Sequence, residues 1–323
     1  MKKILLTLAC VLGMSTLGLA HSNSVVMLQH NGTITSYEPD NISDALDDAV
    51  DGDMIFLSEG TYPMFDIKKQ VSIKGAGQLT VIDGDVNILI PDEPELSQTL
   101  LSCLKVTGEL TIKSPVKRLK ISQCTISRLV FNAKTYDSYI DRCHIGYSDL
   151  DNTYEETITI DGNSKTYIYP YIKSLTINNS LVDRAEVGAK ECLNTTFINC
   201  SLAFYNSTRG TFYNCILYRF DTRGGSCTVQ DSEVYYSYAY KSITYSNCNI
   251  SNCYTADEPN ELPYDSDVIA TNGYLGNDGT IIGPLGGNTP YTLEPTVPHV
   301  TKAEMKVDTE KQQLNVTLTV SPK

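Results

Sequence analysis

The chain has 323 residues, 25 Lys and Arg against 38 Asp and Glu, a formal net charge of −13, 21 tyrosines and no tryptophan. That length fills one large core or two domains, and the acidic balance leaves no basic stripe of the kind a phosphate backbone requires, which argues against a nucleic-acid partner.

Residues 1–20, MKKILLTLACVLGMSTLGLA, pair a dibasic start with an apolar middle and small residues at Gly18 and Ala20. That is the pattern of a bacterial secretory signal, so cleavage is expected near Ala20 and the mature chain is expected to be secreted, periplasmic or at the cell surface. A lipoprotein reading through Cys10 is disfavoured because Thr7 stands where a leucine-like residue is wanted. Loss of Lys2 and Lys3 takes the net charge from −13 to −15. No later stretch reaches the roughly 20 apolar residues of a membrane span.

Next comes NISDALDDAVDGDMIFLSEGTYP, Asn41–Pro63. Asn41 is predicted to N-cap a short helix in which Ile42, Ala45, Leu46, Ala49 and Val50 form one apolar stripe, Asp44, Asp47 and Asp48 face water, and Gly52 ends the helix. VSIKGAG (Val71–Gly77) and TVIDG (Thr80–Gly84) follow.

From residue 121 the chain repeats itself. TFINCSL at 196 returns as TFYNCIL at 211, and the pattern apolar-x-x-(Cys/Ser)-x-(Ile/Leu/Val) recurs with its fourth position at Cys124, Cys143, Ser180, Cys200, Cys215, Ser232 and Cys248. Spacings of 15 to 20 residues suit one coil of a β-solenoid and are too short for helical repeats. The gap from Cys143 to Ser180 predicts one degenerate coil. Asn179, Asn199, Asn214 and Asn247 precede the repeat position, where Asn tolerates the left-handed backbone of a tight bend. Serine at alternate copies argues against a disulfide framework, so Cys124, Cys143, Cys200, Cys215 and Cys248 are predicted to form one buried, reduced column. Zinc is disfavoured for lack of paired CxxC motifs.

The segments 41–63, 71–77 and 80–84 resemble the entry of right-handed parallel β-helix proteins of the pectin-lyase-like superfamily. The resemblance covers roughly residues 25–290 and implies an all-β right-handed parallel β-helix with an N-terminal amphipathic cap helix. It leaves activity open. The ending NDGTIIGPLGGNTPY (Asn277–Tyr291), followed by Pro295, Pro298 and the alternating LNVTLTV (Leu314–Val320), is similar to the C-terminal end of secreted β-helix proteins of carbohydrate-using bacteria. The expected organisation is a signal at 1–20, the β-helix with its cap at 21–291, and a short C-terminal β-strand pair at 292–323, serving as a cap or a docking tail.

Counting from the repeat position, residues two on are apolar throughout and must be core. Four on stand Arg128, Tyr147, Arg184, Phe204, Arg219, Tyr236 and Asn252; six on stand Val130, Asp149, Glu186, Asn206, Asp221, Tyr238 and Tyr254. Arginine and tyrosine alternating along a flat sheet resemble a sugar-stacking platform. The predicted binding face is therefore Arg184, Glu186, Arg219, Asp221, Tyr236 and Tyr238, taking an extended, acidic polysaccharide. The expectation is a noncatalytic, monomeric binder without cofactor. The alternative is a polysaccharide lyase or glycoside hydrolase working on a uronate glycan through Glu186, Asp221 and Arg219, but His144 lacks the following glycine of the family's hydrolases and no Arg-x-Pro-x-x-Arg lyase signature occurs. Calcium is left open by the oxygen pairs Asp51/Asp53, Asp83/Asp85 and Asp265/Asp267, none of which forms a full ligand run.

Overall fold

The computed structural model describes residues 24–90, 99–150, 153–160, 163–186, 195–204, 209–219, 227–230, 233–235, 237–240, 243–256, 275–292, 299–308 and 313–321. The expected signal, 1–20, lies outside them. Successive coils contribute one strand to a 12-stranded sheet and one to a 10-stranded sheet. Neighbours are parallel except at the N-terminal end, where Thr33–Tyr37 and Val26–His30 join antiparallel. The molecule is an all-β parallel β-solenoid, as the repeat spacing predicted.

Two inward columns make the core. In the larger sheet Ile73, Leu101, Ile121, Ile140, Ile177, Phe197, Phe212 and Val234 stand one above the next. In the other sheet the column is Ile82, Val106, Ile126, Ile145, Val182, Leu202 and Leu217. All are buried. At roughly 1.5–3 kcal/mol for each fully buried apolar side chain, these columns supply most of the driving force for stacking. Phe197 and Phe212 stack with centroids 5.2 Å apart and planes within 5°.

Between the two sheets the chain turns through a left-handed residue. Cys103, Gln123, Arg142, Asn179, Asn199, Asn214 and Asn252 all have φ between 45° and 56°, and after each of them except Cys103, which Leu104 follows, the next residue sends its small donor back across the bend. Cys124 Sγ donates to Ser122 O, Cys143 to Asp141 O, Ser180 Oγ to Asn178 O, Cys200 to Ile198 O and Cys215 to Tyr213 O. A hydroxyl and a thiol do the same work there, which is why Ser and Cys alternate. Cys103, Cys124, Cys143, Cys200, Cys215, Cys248 and Cys253 are free. Burial, and then the adjacent thiol in a neighbouring coil, Cys143 for Cys124 and Cys200 for Cys215, pushes Cys124 and Cys215 well above the ordinary 9.0.

The structure revises four sequence expectations. The gap from Cys143 to Ser180 holds no coil: Ile140 pairs directly with Ile177, and the extra residues form an antiparallel hairpin, Thr153–Ile160 with Asn163–Pro170. The column leaves Cys248. Val229 and Tyr245 pair in a separate two-stranded sheet, whereas Phe212 pairs with Val234 and Val234 with Ile250, so the column continues through Ser237 and Cys253. The helix runs Ile42–Asp48 with no side-chain bond from Asn41, and Val50 is 48% exposed beyond its end. Lys69 Nζ closes that helix instead, donating to the carbonyls of Leu46, Asp47 and Ala49.

Residues 275–292 return along the bend column. Asn214 exchanges bonds with Asn277 at 2.9 and 3.0 Å, and Asn179 Nδ2 donates to Pro284 O and Gly286 O. Gly287, at φ +75°, passes so close to the Asn199 amide that a Cβ would sit 2.5 Å from it. The coils and this strap belong to one compact unit, Ser24–Leu293. The strands His299–Asp308 and Gln313–Ser321 pair antiparallel with each other in a second.

Candidate functional site

The outer surface of the 10-stranded sheet changes character along the stack. On the strands Lys105–Ile112, Thr125–Phe131, His144–Asp149 and Leu181–Glu186, adjacent in that order, consecutive residues turn outward before the chain re-enters the core, three on the first strand (Thr107, Gly108 and Glu109) and two on each of the others. Arg128 pairs with Glu109 on one side and Tyr147 on the other; Ser148 pairs with Ala185, which brings Arg184 level with Tyr147. The backbone thus sets Glu109, Arg128, Tyr147 and Arg184 in a line, one per coil, about 4.7–4.9 Å apart.

Their side chains interlock. Arg128 Nη1 lies 3.3 Å from Glu109 Oε2 and Nη2 lies 3.9 Å from Asp149 Oδ2. The Arg128 guanidinium sits 4.9 Å from the Tyr147 ring centroid and that of Arg184 5.1 Å, one from the coil before and one from the coil after. Next to them His144 Nε2 lies 2.8 Å from Asp183 Oδ2. Both members of that pair are partly exposed, as are Arg128 and Glu109. Tyr291, at the end of the strap, is raised above the ordinary tyrosine range by burial and then by nearby Cys143 and Asp183, so the strap ends beside this ridge.

Further along, the same face is closed. Ile216 and Tyr218 with Ala203 are buried against Ile282 of the strap, outside the solenoid core. The strand Ser201–Phe204 has one residue fewer between its paired positions than Leu181–Glu186, so Phe204 faces Ala185 rather than Arg184.

The predicted site residues therefore divide. Arg184 is in the ridge. Glu186 stands opposite Asp149 on the next strand. Arg219 pairs with Phe204, level with Ala185, and Tyr238 pairs with Ile216 and Tyr254 rather than standing with the arginines. Asp221 and Tyr236 lie outside the described residues. The column four past the repeat position did contain Arg128 and Tyr147, but selecting its distal members missed them, along with Glu109 and the His144–Asp183 pair. The signal that finds them is the outward step between buried residues at 107–109, 127–128, 146–147 and 183–184.

The oxygen pairs considered for calcium are engaged in hydrogen bonds. Asp51 accepts from the Gln70 amide; Asp53 accepts from the Val50 amide and meets the His30 ring. Asp83 accepts from Thr107 and Asp85 from the Glu109 amide. Asp265 and Asp267 lie outside the described residues. Among the described residues no group of three or more His, Cys, Asp or Glu is placed to hold a metal, and no helix is long and apolar enough to cross a membrane.

Comparison with protein-family models, with curated proteins and with solved structures gives no match. The functional reading rests on the ridge itself.

Proposed function

We propose that this chain is an exported β-helix of the pectin-lyase-like type, right-handed, with the helix Ile42–Asp48 and the C-terminal strand pair as caps, and that its ridge binds an extended saccharide without catalysis or cofactor. The observation that carries this reading is the line Glu109–Arg128–Tyr147–Arg184 across four adjacent strands. A row of donors and acceptors repeating at the coil rise matches a polymer lying along the stack, whose hydroxyls also repeat. An exported, acidic repeat protein at a bacterial surface meets such polymers. The test is a glycan array read with the mature protein and with an Arg128→Ala/Arg184→Ala double variant. Binding by the first and its loss in the second supports the reading; equal binding by both puts the site elsewhere.

The pair His144–Asp183 favours a second reading, a polysaccharide lyase or glycoside hydrolase. A carboxylate 2.8 Å from one ring nitrogen orients an imidazole for proton transfer, beside a tyrosine and an arginine. Release of reducing ends or unsaturated product from a glycan panel, abolished by His144→Ala, would establish it.

A further inference from the structure

The charges around the ridge are already committed to one another, and this bears on what it can hold. Arg128 is contacted by Glu109 from the preceding coil and Asp149 from the following one. Asp183 is engaged by His144. Arg128 and Arg184 both lie against Tyr147, approaching from the two neighbouring coils, so they cover the ring faces that a sugar would stack upon. Three carboxylates, Glu109, Asp149 and Asp183, stand against two guanidinium groups, and Asp83 and Asp85 lie on the coil before Glu109.

We infer that the ridge takes an uncharged, hydroxyl-rich saccharide and rejects uronates. The inference rests on the saccharide-binding reading above and narrows it. A uronate carboxylate is an acceptor only and needs a guanidinium with free space around it. Approaching Arg128, it would sit between Glu109 and Asp149, and like charges at that range repel. A sugar hydroxyl both donates and accepts. It can give its hydrogen to Glu109 or Asp149 and take one from Arg128 without breaking their pairing, so neighbouring hydroxyls on one ring fit an arginine–carboxylate pair as it stands. The chain's −13 charge acts the same way at longer range, where mobile ions screen it within about 8–10 Å at ordinary salt.

The experiment is calorimetric titration of the full mature chain with hexasaccharides in two sets: linear β-1,4-linked glucose, mannose and xylose oligomers, and galacturonate, mannuronate and guluronate oligomers. Each is run from about 0.01 to 0.15 M salt, over which the screening length falls from about 30 to 8 Å. The expected result is at least one neutral oligomer bound tenfold or more tighter than every uronate, with affinity nearly independent of salt. The double substitution Glu109→Gln/Asp149→Asn, which frees Arg128 of its partners, should raise uronate affinity about tenfold. A uronate bound best by the unaltered chain, weakening as salt rises, overturns the inference and leaves saccharide binding standing. No binding of any oligomer overturns the saccharide-binding reading and this inference with it.

Discussion

The bend column and the outer ridge are built by the same coils and obey opposite rules. At the bend the coils that carry Cys124, Cys143, Ser180, Cys200 and Cys215 repeat one solution: a left-handed residue, then a small donor returning to the carbonyl two residues back. On the ridge, successive coils offer Glu109, Arg128, Tyr147 and Arg184, no two neighbours alike, each engaged with the next. Repetition is what stacking demands, since any coil that departs from its neighbours leaves a void or an unpaired polar group. Alternation of charge and ring gives stacking no comparable return. The bend is therefore scaffold and the ridge is where recognition is sought, and substitutions in the two regions should separate stability from binding.

The largest loss belongs to the columns the bend holds in register. Phe212→Ala removes half of the Phe197–Phe212 stack and opens a cavity, so denaturant unfolding should show a loss of about 3–5 kcal/mol with saccharide affinity unchanged at temperatures where the fold survives. Asn179→Ala comes next. It forfeits the two bonds to Pro284 and Gly286 and puts alanine at φ 45°. A cost of about 1–3 kcal/mol is expected, with the strap cleaved first in limited proteolysis. Cleavage starting elsewhere would show that the strap is held by something other than its asparagines.

Alkali should act on the bend first, before the raised tyrosines such as Tyr291 are reached. The thiols of Cys124 and Cys215 are raised in the fold, so the unfolded chain loses its thiol protons first. Their contribution is fully present below pH 9.0 and is lost as pH climbs above it toward the folded values. A Cys124→Ser/Cys215→Ser variant, keeping the return hydrogen bond as Ser180 does, should lose less stability above that pH than the unaltered chain. Identical pH curves for both would remove the thiols from the account. The smallest effect on stability belongs to the ridge. Arg128, half-exposed between Glu109 and Asp149, should change unfolding by no more than about 0.5 kcal/mol on replacement by alanine, while weakening saccharide binding severalfold.

Much of the scaffold was legible because stacking writes itself into the sequence at short range. Ile121, Ile140, Ile177, Phe197 and Phe212 were in register from the repeat alone. Legibility failed where similar bend chemistry occurs twice in a coil: Val229–Val234 and Tyr245–Ile250 satisfy the pattern in full, whereas the copies that continue the column, Val234–Ala239 and Ile250–Thr255, break it at the last position, and only strand pairing tells the two corners apart. The interval before Ser180 could hold a coil or a hairpin by length, and the alternation in TYEETITI and NSKTYIYP was the sign of a hairpin. On the ridge, Arg184 was found because it follows Ser180 by four. Arg219 and Tyr238 fell out of line with it, because Ser201–Phe204 lacks a residue and the strap covers Ile216 and Tyr218, which a local count does not reveal.

The division between scaffold and ridge is tested most directly by hydrogen–deuterium exchange on the mature chain, with and without a saturating oligosaccharide from the titration set. Added protection confined to 105–112, 125–131, 144–149 and 181–186, with the bend residues already slow and unchanged, is the result expected. Protection centred on Asn179, Asn199 and Asn214, or spread evenly along the coils, would contradict it.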